Sequence, residues 1–131
     1  MKGVPKEISI LLIEDTPSIS AQMLSDLKLL DMSGEHTLCE TIKDGKIALS
    51  KKMYDMIICD WNLPDGEGVE LLEMLRANPK GKEIPYLMCT TVDEVTKIIQ
   101  AVNLGASEYL VKPWTKEELE KKLLHAWQKH H

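Results

Sequence analysis

Short apolar runs of strand length alternate with longer amphipathic segments along the chain. The runs cover residues 8–13, 37–41, 56–59, 86–89 and 108–111, the second being weaker than the others. Between them, apolar residues recur at the spacing of helices. Strands that alternate with helices pair in parallel through right-handed crossovers. The sequence therefore predicts an α/β chain built on one parallel five-stranded sheet.

Helix start and stop signals stand between the runs. Thr16 followed by Pro17 is typical of a helix N-terminus. Gly105 follows the fourth helical segment and is typical of a helix end. We interpret Asp44 and Gly45 as a turn that precedes the second helix. These signals support five helices, one after each strand.

With this alternation, the natural architecture is a single flavodoxin-like (βα)5 doubly wound domain with strand order 2-1-3-4-5. That order places the first and third strands side by side. The first strand ends on Glu14 and Asp15, and the third ends on Asp60, before the chain turns at Pro64. We therefore expect the three acids in one cleft at the carboxyl edge of the sheet, where open α/β sheets bind ligands.

The strand ends together predict phosphate chemistry. Three carboxylates in one cleft repel one another, so they need a cation or a proton to lie together. We expect Glu14 and Asp15 to hold Mg²⁺, which prefers a few carboxylates with waters and phosphate oxygens. Asp60 has the position of a nucleophile that forms an aspartyl phosphate. The fourth strand ends on Thr90, which can donate a hydrogen bond to a phosphoryl oxygen, and the fifth runs into the positive charge of Lys112.

Composition argues against several other classes of protein. The formal charge of −5 does not suit a nucleic-acid surface, which needs a basic face. No apolar run has the length of a membrane span, and no signal peptide opens the chain. Cys39, Cys59 and Cys89 lack metal-type spacing, and the last two lie in apolar runs, which indicates buried, reduced thiols. We therefore expect a cytoplasmic protein.

We expect residues 1–131 to form one domain, with its core at about residues 7–128. No linker, internal repeat or low-complexity segment interrupts the pattern. His130 and His131 resemble the remainder of a purification tag, and we assign them no function.

A set of residues spread over most of the chain resembles the signature of a known family. It comprises Glu14-Asp15, Asp44-Gly45 with Ala48-Leu49, Asp60 with Pro64 and Gly68, Thr90, Gly105-Ala106, Tyr109 and Lys112-Pro113. These stretches resemble the receiver domains of two-component response regulators, the CheY-like family. Residues 60–64 and 111–115 are similar to the single-domain chemotaxis regulators.

The resemblance implies a role for each strand-end residue. Asp60 is implied as the phosphoacceptor, and Thr90 and Lys112 as the groups that bind the phosphoryl oxygens. Mg²⁺ is implied to bind four oxygen donors: Glu14 through a water, Asp15, Asp60 and the backbone carbonyl of Asn62.

Other features follow from the same resemblance. Tyr109 is implied as a switch aromatic that moves with Thr90, and the Lys112-Pro113 bond is implied to be cis. Two positions depart from the family pattern. Glu14 stands where an aspartate is common, and Val92 stands where a polar residue that places the attacking water is common, which bears on the lifetime of the phosphoryl group.

A receiver of this type is a signalling switch, and not an enzyme beyond assisting its own phosphorylation and dephosphorylation. The resemblance implies a monomer that takes its phosphoryl group from a histidine kinase. The face formed by the fourth helix, fifth strand and fifth helix is implied to bind an output protein, with the flagellar motor switch favoured and a phosphatase as a further partner. Chemotaxis is the favoured pathway; a phosphorelay intermediate and a fragment of a longer regulator are alternatives.

Two functions from other classes compete with this interpretation. A Mg²⁺-dependent phosphohydrolase with an aspartate nucleophile commonly carries a second acid two residues later, whereas this chain has Asn62. A pseudo-receiver that only binds partners would not need Thr90 and Lys112. We interpret Asp65 and Glu67, in the loop after the third strand, as solvated acids.

Overall fold

Five strands and five α-helices alternate in the computed structural model, which describes residues 3–91 and 95–131. Val92 lies outside the described residues. The strands are β1 Ile10–Ile13, β2 His36–Cys39, β3 Met56–Asp60, β4 Tyr86–Thr91 and β5 Glu108–Lys112. The helices are α1 Pro17–Leu29, α2 Ile42–Lys51, α3 Gly68–Ala77, α4 Val95–Asn103 and α5 Lys116–Gln128.

The five strands form one parallel sheet in the order β2-β1-β3-β4-β5. This order confirms the predicted 2-1-3-4-5 arrangement. A small antiparallel ribbon, Asn62–Leu63 paired with Gly66–Glu67, lies between β3 and α3. The ribbon was not predicted, because two-residue strands carry no periodic signal.

The core has two layers, one on each face of the sheet. Successive residues of a strand point to opposite faces, so Leu11 packs with α2 and α3 whereas Leu12 packs with α1 and α5. All four residues of β1 are at most 2% exposed. A strand covered on both faces needs the continuous apolar run that the sequence shows. The two layers hold the strand ends rigidly at the carboxyl edge.

The second helix begins earlier than the sequence indicated, so the interpretation of residues 44–45 as a turn was wrong. α2 starts at Ile42, and Thr41 caps it by accepting a hydrogen bond from the Asp44 N–H at 3.0 Å. Gly45 is a buried helical residue. A Cβ atom there would lie 2.7 Å from Ile13 Cδ1. The glycine thus lets α2 approach β1 without displacing the end of the Ile13 side chain.

Three strands that carry predicted site residues extend past their apolar runs: β3 includes Asp60, β4 extends to Thr91, and β5 includes Lys112. β1 is shorter than its run and ends at Ile13, directly before Glu14. β2 ends at Cys39, earlier than expected. The functional side chains thus stand at the ends of strands or directly after them.

Two further observations concern the predictions on localisation and on the terminal histidines. No helix in the described ranges is long and apolar enough to cross a membrane. His130 packs against the body of the protein, with Nε2 at 2.7 Å from Ser107 Oγ and Nδ1 at 3.2 Å from Glu83 Oε1.

Candidate functional site

Three carboxylates meet at the carboxyl ends of β1 and β3. Ile13 pairs with Cys59 across these strands, so Glu14 and Asp60 are the next residues along each. Glu14 is 3% exposed and Asp60 is 9% exposed, while Asp15 is half-buried. One oxygen atom of each of the three acids lies within 4.8 Å of the others. The structure thus brings together the three acids that the sequence predicted to share a cleft.

Lys112 reaches the same cleft from β5, across the end of β4. Its Nζ atom lies 2.8 Å from Asp60 Oδ1 and 2.9 Å from Glu14 Oε1. The predicted cis bond between Lys112 and Pro113 is confirmed. A single ammonium group therefore bridges two carboxylates that belong to neighbouring strands.

The charges in this cleft are not balanced. Burial raises the pKa of Glu14; hydrogen bonding to Lys112 opposes this effect, and the charge of Asp60 adds to it. Burial also acts to lower the pKa of Lys112, but its hydrogen bonds to Asp60 and Glu14 outweigh that effect, and the pKa is raised. One ammonium against three carboxylates leaves the cleft negative, which favours a further cation.

Thr90 and Tyr109 stand close to the acids in the sheet but differ in placement. Asp60 pairs with Cys89, the residue before Thr90. The Thr90 side chain is 1% exposed. Tyr109 is half-buried on β5, two residues before Val111, the register partner of Thr90. The Nζ atom of Lys122 on α5 lies 4.1 Å from the centre of the Tyr109 ring.

The loop after Asp60 contains contacts that the sequence did not reveal. The Asp65 carboxylate accepts hydrogen bonds from the N–H groups of Ile42 at 2.9 Å and Lys43 at 3.0 Å, so it satisfies the first turn of α2. These bonds lower the pKa of Asp65. Glu67 accepts a hydrogen bond at 2.8 Å from the Trp61 indole. Both acids were predicted to be solvated, and both are exposed. No local pattern signals their contacts, because these depend on the path of the loop.

The donor set of the cleft fits a hard divalent cation. Glu14, Asp15 and Asp60 supply carboxylate oxygens only, and Asn62 lies two residues past Asp60 on the ribbon. Mg²⁺ binds such oxygen donors and keeps several waters, so a partly open cleft with few carboxylates suits it. Within residues 3–91 and 95–131, this is the single group of three or more acidic, histidine or cysteine side chains close enough to share an ion.

Comparison with known proteins agrees with this geometry. The sequence model of the response regulator receiver domain matches residues 10–124. The chain belongs to the response regulator receiver family. Chemotaxis protein CheY-3 of Vibrio cholerae is 34% identical to this receiver domain over 121 residues, which cover 90% of each chain. The receiver is thus CheY-like.

Solved structures show the same fold. The chemotaxis response regulator CheY4 of Vibrio cholerae superposes on this receiver domain with a TM-score of 0.82 and 28% identity, over 92% of this chain and 98% of its own. The receiver domain of sensor histidine kinase PA1611 from Pseudomonas aeruginosa, solved with a magnesium ion in its active site cleft, gives a TM-score of 0.79 and 26% identity, over 92% and 97% of the two chains.

Proposed function

We propose that this receiver takes a phosphoryl group from a histidine kinase onto Asp60 and thereby changes its affinity for an output protein. One observation carries the proposal: the Lys112 ammonium lies 2.8 Å from Asp60 Oδ1 inside a group of three converging carboxylates. A nucleophilic carboxylate with a cation-binding group on one side and a fixed positive charge on the other suits phosphoryl transfer.

In the proposed step, a carboxylate oxygen of Asp60 attacks the phosphorus atom of a phosphohistidine. The O–P bond forms as the P–N bond breaks, and the electron pair stays on the departing imidazole. Asp60 acts as the ionised carboxylate, so no general base is needed. Lys112 then pairs with one phosphoryl oxygen, and the Thr90 hydroxyl donates a hydrogen bond to another.

We further propose that Glu14, Asp15, Asp60 and the backbone carbonyl of Asn62 hold Mg²⁺. When bound, this ion neutralises charge on the phosphoryl oxygens. The magnesium ion in the Pseudomonas aeruginosa receiver supports this assignment. The chain's own contribution is to bury Glu14 and Asp60, orient them through adjacent strands, and exclude most water from the reacting oxygen.

The response to phosphorylation is proposed to pass from Thr90 to Tyr109 and then to the face formed by α4, β5 and α5. A protein can be shifted between two states only by contacts that differ between them, and the new bond from Thr90 to the phosphoryl group is such a contact. On this proposal residues 7–128 act as one switch in the cytoplasm, without turnover of an external substrate. The chemotaxis relative CheY-3 supports a role in chemotaxis. We propose the flagellar motor switch as the output partner and a phosphatase that resets the signal.

Asp60 should be the single residue that accepts phosphate from acetyl phosphate in the presence of Mg²⁺. Borohydride reduction followed by mass spectrometry locates the modified residue. We expect Asp60→Asn to take no label and Asp65→Asn, the matched loop acid, to label as the wild type does. Label persisting on Asp60→Asn would contradict the assignment, and steady hydrolysis of a phosphomonoester without labelled protein would indicate a phosphohydrolase.

Thr90 should be needed for the switch more than for phosphorylation. In protein containing 3-fluorotyrosine, we expect the Tyr109 fluorine resonance to shift when beryllofluoride and Mg²⁺ are added, and Tyr109→Phe identifies that resonance. Thr90→Ala should still label at Asp60, but its Tyr109 resonance should stay close to the unliganded position. Thr90→Ser, which keeps the hydroxyl, is the control. A full shift in Thr90→Ala would show that the signal travels by another route.

A further inference from the structure

Trp61, the residue after Asp60, is fixed on three sides. Its side chain is 1% exposed. Its N–H group donates to the Cys89 carbonyl at 3.0 Å, and its own carbonyl accepts from the Gly68 N–H at 2.6 Å. The indole Nε1–H donates to Glu67 Oε2 at 2.8 Å. Any movement of the chain at Asp60 is therefore felt at Trp61 and at its partner Glu67.

The Glu67 carboxylate also faces a cation on α4. Lys97 Nζ lies 4.0 Å from Glu67 Oε2, the same oxygen that accepts from the indole, and 5.5 Å from the centre of the Trp61 ring. Lys97 is on the first turn of α4, which begins at Val95. One carboxylate oxygen thus joins the end of β3 to α4, which forms part of the proposed output face.

We infer that Glu67 is a positioning residue that couples the Asp60 end of β3 to α4 through Trp61 and Lys97. This inference rests on the proposed function, since it supplies a second route from the phosphorylation site to the output face. The first route, through Thr90 and Tyr109, runs along β4 and β5. The second runs over the ribbon and reaches α4 directly.

The strength of the link suits a switch. The Lys97 and Glu67 side chains are 33% and 49% exposed. Ion pairs this exposed shift an equilibrium by only about 1.4- to fivefold. A link of that size biases α4 toward one position without locking it, so a change in charge at Asp60 is sufficient to release it. A buried pair in the same place would hold α4 in one state.

The same loop provides a matched control. Asp65 is two residues from Glu67 and carries the same charge, but its carboxylate binds the first-turn N–H groups of α2. Removing its charge therefore perturbs the loop without touching Trp61 or Lys97. Glu67→Gln keeps a carbonyl oxygen for the indole and removes the charge that faces α4.

Hydrogen exchange of the α4 amides, with and without beryllofluoride and Mg²⁺, tests the link. We expect Glu67→Gln and Lys97→Met each to speed exchange in unliganded α4 by about 1.4- to fivefold, and the double variant to add nothing further. In both single variants, the ratio of the α4 exchange rates without and with beryllofluoride should change by the same factor. Asp65→Asn should leave α4 exchange unchanged. In protein containing 5-fluorotryptophan, Lys97→Met should shift the Trp61 resonance and Asp65→Asn should not.

The outcomes separate the two proposals. If beryllofluoride changes α4 exchange in the wild type, and Glu67→Gln and Lys97→Met match the wild type in both states, the inference is wrong and the proposed function stands. If the wild type neither labels at Asp60 nor responds to beryllofluoride, the proposed function fails and the inference fails with it.

Discussion

Polar side chains lie at both edges of the sheet, at the amino ends of the strands and at their carboxyl ends, but their charges are balanced differently. At the amino edge, Arg76 on α3 donates from Nη1 to the Gly81 carbonyl at 2.7 Å and from Nε to the Gly105 carbonyl at 2.9 Å. Ser107, which is 2% exposed, accepts from the Tyr86 N–H at 2.9 Å. Here donors meet neutral acceptors, and the network joins α3, α4, β4 and β5.

At the carboxyl edge the partners are charged and unequal in number. Lys112 contacts Glu14 and Asp60, and Asp15 adds a third carboxylate to the same group. Buried polar groups that are satisfied stabilise a fold, whereas an excess of one charge costs stability until a ligand of opposite charge binds. The comparison teaches that the amino edge serves the fold and the carboxyl edge is prepared for a ligand.

The largest expected effect falls on the amino edge. Arg76→Met should lower the free energy of unfolding by about 2–3 kcal/mol, because hydrogen bonds from a charged group are lost and the partly buried carbonyls of Gly81 and Gly105 lose their donor. Urea unfolding measures the free energy change. Arg76→Lys should lower the free energy of unfolding by less, since lysine keeps the charge but lacks the several N–H donors of the guanidinium group. Labelling of Asp60 should remain at the wild-type level. If Arg76→Met instead lost Asp60 labelling and kept its stability, the amino edge would not act on the fold alone, and the contrast between the edges would be wrong.

At the carboxyl edge, Asp15→Asn should weaken Mg²⁺ binding and leave unfolding without Mg²⁺ close to the wild type. We expect the affinity to fall by about tenfold or more, since even changes around metal ligands cost that much. Fluorescence of Trp61 on Mg²⁺ titration reports binding, and Trp61→Phe shows how much signal comes from that indole. An unaltered response in Asp15→Asn would place the ion elsewhere.

The smallest effect is a gain in stability. The pKa of Glu14 is raised on folding, so its ionised form disfavours the folded state at neutral pH. The protonated form stabilises the folded state. That stabilisation is fully present below the ordinary pKa of 4.5 and is lost as the pH rises through the folded pKa. Glu14→Gln should therefore be more stable than the wild type at pH 7 in EDTA, by on the order of 1 kcal/mol. The gain should shrink as pH falls toward 4.5.

Urea unfolding between pH 4.5 and 8 tests this, with the exposed Glu120→Gln as control. If Glu14→Gln is less stable than the wild type at pH 7, the hydrogen bond from Lys112 outweighs the cost of burying the charge.

The difference between the edges also explains what the sequence could reveal. Glu14, Asp60 and Lys112 were found because each directly follows an apolar run, and parallel strands bring such residues to one edge. The sheet order followed from the alternation of strands and helices. Arg76 and Ser107 gave no such signal, since each contacts a backbone group far away in the sequence, Gly105 for Arg76 and Tyr86 for Ser107.

The error at residues 44–45 has the same physical origin. A local reading of Asp44 and Gly45 predicts a turn, because these residue types favour turns. In the structure, α2 packs against Ile13, and its first-turn N–H groups donate hydrogen bonds to Asp65, so the helix extends through both residues. Contacts made by residues far apart in the chain override such local preferences.

The cap that Asp65 gives to α2 has a consequence for engineering. A helix is usually exchanged between related proteins as one continuous segment. The first N–H groups of α2, however, donate to Asp65, which lies 23 positions after Ile42 and 22 after Lys43. A chimaera that imports residues 41–52 from a relative should therefore import the residue at position 65 as well. We expect chimaeras that keep this pair matched to melt at a higher temperature than those that separate it.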